Sequence, residues 1–204
     1  MLDVTLAAIT TVIGYFLGTI PSGFLVAKLY GVNIQQVGSG NIGATNVLRA
    51  VGVLPAVIVI VLDPLKGALA ALLPALLGLG PWVVALAGLA AVAGNDFNVL
   101  LRMKGGKGIA TSIGVFLVVD PLVAAVSVTL GVFTILVSRH VSLGSLVGMV
   151  ALPLFVLVRA GDNLFPHLVL AASLTALAIY RHRDNIRRLL AGEERRLGER
   201  LARS

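Results

Sequence analysis

The feature that most constrains the fold is a series of long apolar stretches separated by short polar or glycine-rich segments. A helix needs about 20 apolar residues to cross about 30 Å of hydrocarbon. Because lipid offers no partners for backbone N–H and C=O groups, such stretches must be helical. The sequence therefore predicts an all-α, polytopic transmembrane helical bundle of about seven spans. The predicted spans are residues 4–30, 52–77, 81–100, 109–119, 121–137, 143–158 and 164–180.

Two of these stretches need separate treatment. Residues 109–119 are short, so they either cross the membrane or form half of a re-entrant hairpin. The first stretch is apolar from Val4 onward and its first basic residue is Lys28. It lacks the basic start of a signal peptide, so we expect a retained span. The whole chain, 1–204, is expected to form one membrane domain with a basic amphipathic tail at 181–204.

The distribution of charge predicts the orientation. With seven spans, nearly all lysines and arginines of the loops and tail fall on one side of the membrane, whereas the other side holds only Arg159. The positive-inside rule makes the basic side cytoplasmic, so the N-terminus is predicted outside and the C-terminus in the cytoplasm. The basic side holds Lys28, Arg49, Arg102, Lys104, Lys107, Arg139 and the arginines from Arg181 onward.

Composition excludes several classes of function. The chain is 58% hydrophobic and 12% charged, which is incompatible with an ordinary soluble domain. Its net charge of +7 does not indicate a nucleic-acid partner, because no basic stripe contains interleaved aromatic residues. It has no cysteine, and therefore no disulfide, thiolate metal site or cysteine nucleophile. It also has no convincing internal repeat, which argues against a transporter.

The first of four polar clusters on the predicted cytoplasmic side is the glycine-rich loop at residues 38–46. Bare backbone N–H groups in such a loop can form an anion-binding nest. An interfacial helix-capping turn is the structural alternative. The Gly-x-Gly-x-x-Gly match lacks the βαβ unit of a dinucleotide site, and Ala44 replaces the lysine of a phosphate-binding P-loop. The candidate phosphate ligands here are Gly40, Asn41, Gly43, Thr45, Asn46 and the following Arg49.

The second cluster surrounds the glycine pair Gly105 and Gly106. Lys104 and Lys107 flank the pair at the predicted start of a helix, where free N–H groups and the helix dipole favour an anion. Positive-inside anchoring explains the lysines but not the glycines. We therefore expect a second phosphate cradle that extends to Thr111.

The third and fourth clusters are a basic, hydroxyl-bearing turn and the C-terminal tail. The turn contains Arg139, Ser142 and Ser145, which either contact substrate or cap a helix. Apolar residues of the tail recur at helical spacing, so part of it is expected to lie in the headgroup plane. Those residues are Ile186, Leu189, Leu190, Leu197 and Leu201, whereas His182, Asn185 and Glu194 do not fit a headgroup-facing role.

Asp63 and Lys66 form a separate charged pair inside the second span. They lie three residues apart and share a helix face. A charge near the bilayer centre costs about 2.5 kcal/mol or more, so a structural or functional role must offset the cost of this pair. Either the two neutralise each other between helices, or Lys66 reaches a substrate phosphate while Asp63 holds it.

Together these motifs resemble the bacterial acyl-phosphate:glycerol-3-phosphate acyltransferases (PlsY), in the order of that family and over nearly the whole chain. The motifs are Ser39-Gly40-Asn41-x-Gly43-Ala44-Thr45-Asn46-x-x-Arg49, Asp63-x-x-Lys66-Gly67, Lys104-Gly105-Gly106-Lys107-Gly108-x-Ala110-Thr111, Arg139-x-x-Ser142-x-x-Ser145 and His182-x-x-Asn185-Ile186-x-Arg188-Leu189. The resemblance implies a multi-pass enzyme of the bacterial inner membrane. It would transfer a fatty acyl group from acyl phosphate to the 1-hydroxyl of glycerol 3-phosphate, giving lysophosphatidic acid and phosphate.

The resemblance also implies roles for the motif residues. We expect Ser39, Lys104, His182 and Asn185 to be catalytic, and Lys66, Gly105, Gly106, Lys107, Thr111, Arg139, Ser142, Ser145 and Glu194 to join the first loop in binding substrate phosphate. The chain departs from the family at Asn95, where a histidine is usual, and at Arg196, where a lysine is usual. No metal or organic cofactor is implied, the expected partners are the two substrates and membrane lipids, and the oligomeric state stays open.

The inventory of side chains fits this chemistry. Acyl phosphate is an activated donor, so the glycerol hydroxyl can attack it directly while cations and N–H groups stabilise the leaving phosphate. Either His182 or the donor phosphate takes the proton, and we favour the phosphate. A coenzyme A-dependent acyltransferase is disfavoured because no His-x-x-x-x-Asp pair occurs. The main alternative is a membrane transporter or binding protein for an organic phosphate, and a non-catalytic scaffold is a third.

Overall fold

The computed structural model describes residues 2–159 and 161–199, and regular structure within these ranges is entirely helical. The predicted all-α, multi-span class is confirmed. Ten α-helices of the described residues are α1 Leu2–Gly18, α2 Ser22–Leu29, α3 Ala44–Ala50, α4 Val53–Leu76, α5 Pro81–Asp96, α6 Ile109–Val119, α7 Pro121–Ser138, α8 Val141–Arg159, α9 Leu164–Arg181 and α10 Arg183–Leu190.

Six stretches of the described residues are long and apolar enough to cross a membrane, and α6 is a shorter apolar helix. The first of these stretches, Asp3–Leu29, differs from the single helix that we expected over 4–30. It breaks between α1 and α2 because Pro21 has no N–H to donate and its ψ of 69° is not helical. The break leaves the carbonyl of Ile20 without a helical partner, and the ammonium of Lys66 donates to it at 3.1 Å.

Helix α5 lies at the centre of the bundle, where it packs against α1, α4, α6 and α9. Helices α7 and α8 pair closely, and α9 packs on α8. Small residues allow these close approaches, since a Cβ atom at Gly14 or Gly18 of α1 would overlap backbone carbonyls of α5. Such approaches fix the helix ends, and therefore the loops between them, in register.

The described part of the tail is not one continuous helix, although its apolar residues recur at helical spacing. Helix α10 is strongly amphipathic but ends at Leu190, and the chain turns at Gly192, whose φ is +72°. The segment 193–199 then folds back, so that the N–H of Leu197 donates to the carbonyl of Arg139 at 2.6 Å. Leu201, which we expected to continue the apolar face, lies outside the described residues.

Candidate active site

The loop that carries Lys104–Lys107 is held by the last turns of α5 and α9. The N–H of Gly106 donates to the carbonyl of Asn95 at 2.9 Å. On the other side, Arg181 donates to the carbonyls of Gly105 and Gly106. A Cβ atom at Gly105 would overlap the Asn95 carbonyl, so glycine is required there. The loop leads directly into the start of α6, whose first N–H groups have no helical partner.

Glu194 joins the turn before α8 to helix α10. Its Oε1 accepts hydrogen bonds from the hydroxyl of Ser142 at 2.8 Å and from the amide of Asn185 at 2.6 Å. Its Oε2 accepts a hydrogen bond from the Nε of Arg188 at 2.8 Å. The Oδ1 of Asn185 in turn accepts a hydrogen bond from the ammonium of Lys107. Glu194 therefore joins the third and fourth sequence clusters directly, and the second cluster through Asn185.

Asn46 organises the opening loop from inside. Its buried amide group donates to the carbonyls of Ile34, Val37 and Asn41 at 2.9–3.2 Å, and its Oδ1 accepts from the N–H of Ser39 at 3.1 Å. Both polar atoms are thus engaged by the loop itself. Our expectation that Asn46 binds phosphate therefore changes to a role in shaping the loop.

Two contacts bring the opening loop towards the other clusters. The side chain of Gln35 donates to the carbonyl of Lys104 at 3.2 Å, and Arg49 reaches the carbonyl of Arg196 at 3.5 Å. Ser39 is exposed, as are the side chains of Lys104 and Arg139. Polar groups of all four clusters therefore surround one region at the loop-bearing end of the bundle.

His182 lies between α9 and α10 with its side chain buried. Its Nδ1 lies 2.8 Å from the carbonyl of Ala178, an acceptor only, so Nδ1 carries a proton and Nε2 has a free lone pair. Burial, followed by the nearby charge of Lys107, lowers the pKa of His182 to about 4. The imidazole is therefore neutral at physiological pH.

Lys66 departs from the expected role in phosphate binding. It is only 4% exposed, and its three ammonium donors match three oxygen atoms. These are Oδ1 of Asp63 at 2.8 Å, Oδ1 of Asn95 at 2.7 Å and the carbonyl of Ile20. No donor remains for a substrate. The structural alternative, a charged pair that joins helices, therefore describes Lys66 better.

The pKa values of Lys107, Glu194 and Arg49 are all lowered, which favours loss of the proton from the cations and keeps the carboxylate charged. Burial lowers the pKa of the Lys107 ammonium to about 8, although the charge of Glu194 opposes the shift. The pKa of Glu194 is lowered even though burial alone would raise it, because Asn185, Ser142 and Arg188 all donate to its carboxylate. Burial also lowers the pKa of Arg49. At neutral pH the site therefore contains a fixed carboxylate among cations.

The remaining expected ligands fall into two groups. Gly40, Asn41, Gly43 and Thr45 belong to the opening loop, where the Oδ1 of Asn41 accepts from the N–H of Gly43 at 2.9 Å. Thr111 is buried in the first turn of α6, and its hydroxyl has no partner among the described residues. Within those residues no group of three or more His, Asp or Glu side chains could hold a metal ion.

Ser145 lines a different feature, an apolar groove between α6, α7 and α8 with a volume of about 100 Å³. The groove begins beside Ile109, the first residue of α6, and reaches the buried Ala124 and Leu152. Its wall also contains the hydroxyl of Ser127, which is buried and has no partner among the described residues. The groove therefore lies beside the start of α6, one residue along the chain from Gly108 at the end of the glycine loop.

Two residues that contribute to this site, Arg181 and Asn95, are not among those expected from the sequence. The charge pattern assigns Arg181 only to the basic, cytoplasmic side, yet its guanidinium contacts the glycine loop. Asn95 stands out in the sequence only as a departure from the family, yet its backbone and side chain join the loop to Lys66. The glycine pair itself was the available signal, because such a loop exposes carbonyls that need donors.

The fold and the site define a helical membrane protein with a polar, basic, glycine-lined site at one end, an arrangement that suits phosphorylated ligands. Residues 8–192 match the glycerol-3-phosphate acyltransferase family. A glycerol-3-phosphate acyltransferase of Thermus thermophilus is 44% identical over 97% of this chain and 98% of its own. One from Deinococcus radiodurans is 43% identical over 96% of this chain and 98% of its own.

Solved structures agree with this similarity. The crystal structure of PlsY in its glycerol 3-phosphate form superposes with a TM-score of 0.89 and 43% identity, covering 94% of this chain and 96% of that one. The lysophosphatidic acid form gives a TM-score of 0.87 at 43% identity, covering 94% and 95%. The chain belongs to the glycerol-3-phosphate acyltransferase family and is an integral membrane acyltransferase.

Proposed function

We propose that this enzyme transfers a fatty acyl group from acyl phosphate to the 1-hydroxyl of glycerol 3-phosphate. The observation that carries the proposal is the convergence of the glycine loop, Lys107, Asn185 and Ser142 around Glu194. Such a set of N–H groups, cations and hydroxyls suits two phosphorylated substrates, one of which leaves as inorganic phosphate. The family membership supports it, as do the glycerol 3-phosphate and lysophosphatidic acid forms of the related PlsY structures.

Two anion cradles would hold the two phosphates apart and in order. The glycine loop, Lys107 and the start of α6 would bind one phosphate, with Thr111 supplying a hydroxyl. The opening loop and Arg49 would bind the other, and Arg139 and Lys104 would close the open side, where their side chains are exposed. Holding two anions together against their repulsion is the main task, and proximity can contribute roughly 7–11 kcal/mol.

The acyl transfer needs no protein nucleophile. The 1-hydroxyl oxygen attacks the acyl carbonyl carbon, the bond from that carbon to the phosphate oxygen breaks, and phosphate leaves. Negative charge develops on the acyl carbonyl oxygen and on the leaving phosphate oxygen. Lys104, Lys107 and the N–H groups of the loop would stabilise that charge. Ser39 and Asn185 would orient the acceptor, Asn185 through the oxygen that already contacts Lys107.

The hydroxyl proton would pass to the leaving phosphate rather than to His182. A general base works best when its pKa lies near the operating pH. The pKa of His182 is lowered to about 4, so the imidazole is a weak base. Its free Nε2 can still accept a hydrogen bond and orient the hydroxyl. His182 would therefore position the acceptor while the donor phosphate takes the proton.

The acyl chain would enter the apolar groove between α6, α7 and α8. Ile109 and Ser145 line this groove, and along the chain they lie close to Gly108 and to Ser142. A chain anchored there would place its carbonyl beside the glycine loop and its tail among apolar side chains, where burial is favourable at about 25 cal/mol per Å².

The site would face the cytoplasm of a bacterial inner membrane, because the basic residues cluster at its end of the bundle. The absence of native cysteine allows a direct test. Single cysteines at Glu193 and Asp162, on opposite predicted sides, would be labelled in intact cells with a reagent that cannot cross the membrane. Labelling at Asp162→Cys but not at Glu193→Cys is expected, and the reverse would overturn the orientation.

The proposed reaction is tested with detergent-purified protein and palmitoyl phosphate, with and without glycerol 3-phosphate. Phosphate release and lysophosphatidic acid should appear only with both substrates, and palmitoyl-coenzyme A should not replace the donor. An acceptor analogue that lacks the 1-hydroxyl should give no product. Absence of turnover, together with uptake of glycerol 3-phosphate into sealed vesicles, would instead indicate a transporter.

A further inference from the structure

Arg181, the last residue of α9, makes the most extensive side-chain contact with the glycine loop. Its Nε donates to the carbonyl of Gly106 at 3.0 Å. Its Nη2 donates to the same carbonyl at 2.8 Å and to that of Gly105 at 3.3 Å. One guanidinium therefore engages two consecutive peptide carbonyls of the loop.

The guanidinium is itself fixed in place. It lies 5.5 Å from the centre of the Phe97 ring, a distance typical of a cation–π contact. Phe97 follows directly after α5, whose Asn95 carbonyl accepts the N–H of Gly106. The loop is thus held between the ends of α5 and α9.

Peptide carbonyls that face a bound phosphate weaken its binding, because their partial negative charge repels the anion that the N–H groups attract. Glycine peptides rotate easily, so a pair of glycines can present either side to a ligand. A cation bonded to both carbonyls removes this freedom and screens their charge. The Gly105–Gly106 peptide is held on both sides, because its N–H donates to the Asn95 carbonyl and its carbonyl accepts from Arg181. In the Gly106–Lys107 peptide the carbonyl faces Arg181, so the N–H of Lys107, which has no partner among the described residues, remains for the anion.

We propose that Arg181 is a positioning residue that orients the Gly105 and Gly106 peptides for phosphate binding. The inference rests on the proposed phosphate-handling function of this loop. Arginine suits the role because its planar fork reaches two acceptors at once, whereas a lysine ammonium is a point charge. Arg181 acts through the loop and does not itself contact the substrate.

Arg183 provides a matched control two residues further along. It also donates to a backbone carbonyl, that of Tyr180 at 3.3 Å, and lies 5.0 Å from an aromatic ring centre, that of Tyr180. Unlike Arg181 it is exposed and contacts no residue of the glycine loop. Its replacement removes equal charge and similar local contacts without touching the loop.

The test compares Arg181→Gln, Arg181→Lys and Arg183→Gln in the full chain. Inorganic phosphate, the reaction product, is the probe, measured both as a competitive inhibitor and by the shift that it causes in the thermal unfolding temperature. Arg181→Gln should raise the inhibition constant and the KM for a phosphorylated substrate about tenfold or more, with a smaller change in kcat. Arg181→Lys should fall between that variant and the wild type, and Arg183→Gln should match the wild type.

Two results would overturn the proposal. One is unchanged phosphate affinity in Arg181→Gln, with loss confined to thermal stability or kcat, which would indicate a purely structural contact. The other is an equal effect in Arg183→Gln. If Arg181→Gln does not fold, Phe97→Leu loosens the same guanidinium and should weaken phosphate binding in the same direction. Failure of the wild type to make lysophosphatidic acid would refute the proposed function, whereas the unfolding shift would still test Arg181.

Discussion

The carboxylate of Glu194 accepts a hydrogen bond from the side-chain amide of Asn185 at 2.6 Å, and this contact decides which way that amide faces. Because only Nδ2 can donate to a carboxylate, Oδ1 must turn to the other side. There Oδ1 accepts a hydrogen bond from the ammonium of Lys107. A residue of the folded-back tail thus fixes the position of a cation in the glycine loop.

Loss of the Glu194 charge should therefore reach Lys107 through Asn185. We expect Glu194→Gln to lower kcat/KM by about 100-fold, because hydrogen bonds to a charged group contribute roughly 1.5–3 kcal/mol and several are weakened together. Steady-state kinetics with both substrates measures the loss. Glu193→Gln, an exposed neighbour, is the control and should change kcat/KM less than about twofold. Equal activity in the two variants would contradict the proposed effect of Glu194 on Lys107 through Asn185.

The activity should fall on the alkaline side as Lys107 loses its proton. The pKa of Lys107 is lowered to about 8, so the cation is present below that pH and kcat/KM should fall about tenfold per unit above it. Lys107→Arg stays protonated and should move this limb to higher pH, even if its maximum activity is lower.

Unfolding can be separated from this titration. Because the folded pKa of Lys107 lies below its ordinary value of 10.5, the unfolded chain binds more protons between pH 8 and 10.5. The contribution of Lys107 to stability therefore rises with pH in that window. An alkaline fall in activity that accompanies loss of fold, and that persists in Lys107→Arg, would argue against the assignment.

In contrast to Lys107, His182 is expected to have no titration that affects activity in the usual assay range. With its pKa at about 4, it is neutral throughout the usual assay range, so its titration should add no limb near its ordinary pKa of 6.5. His182→Ala should keep measurable turnover while the KM for glycerol 3-phosphate rises, because the alanine variant loses an orienting acceptor rather than the base. Complete loss of turnover with unchanged binding of glycerol 3-phosphate would refute proton transfer to the phosphate.

The sequence predicted the helical class and which clusters supply the site, because apolar length and glycine–cation motifs are local properties. It did not predict the partners that satisfy each polar group. Lys66 and Asn46 have the composition of phosphate ligands, yet their donors are taken by neighbouring backbone and side chains. Glu194 was expected at the site, but its contact with Ser142 depends on a turn 52 residues earlier in the chain, which no spacing encodes.

Asn95 tests how far the departure from the family matters. Its Oδ1 accepts from Lys66 at 2.7 Å and its Nδ2 donates to Asp96 at 2.9 Å. A neutral histidine also offers one acceptor and one donor, so Asn95→His should retain fold and activity. Asn95→Leu has no such groups and leaves Lys66 and Asp96 short of partners in a buried site. It should lower stability by about 1.5–3 kcal/mol, because Lys66 keeps its partner Asp63 and loses only a hydrogen bond, and denaturant unfolding in detergent measures the change.

If the acyl chain occupies the apolar groove between α6, α7 and α8, a substitution in that groove should change which acyl phosphate the enzyme prefers, independently of the phosphate cradles. Ser127 lines the groove and is 4% exposed, whereas Thr129 lies on the same helix with an exposed side chain. Ser127→Leu adds bulk inside the groove and should shift the enzyme from palmitoyl towards lauroyl phosphate in a mixture of both, because a shorter chain ends before the obstruction. Thr129→Leu should leave the ratio of the two lysophosphatidic acid products unchanged. The product ratio does not depend on how much enzyme is folded. An unaltered ratio in Ser127→Leu would therefore place the acyl chain elsewhere. The next candidate is the larger groove of about 490 Å³ beside Ser22.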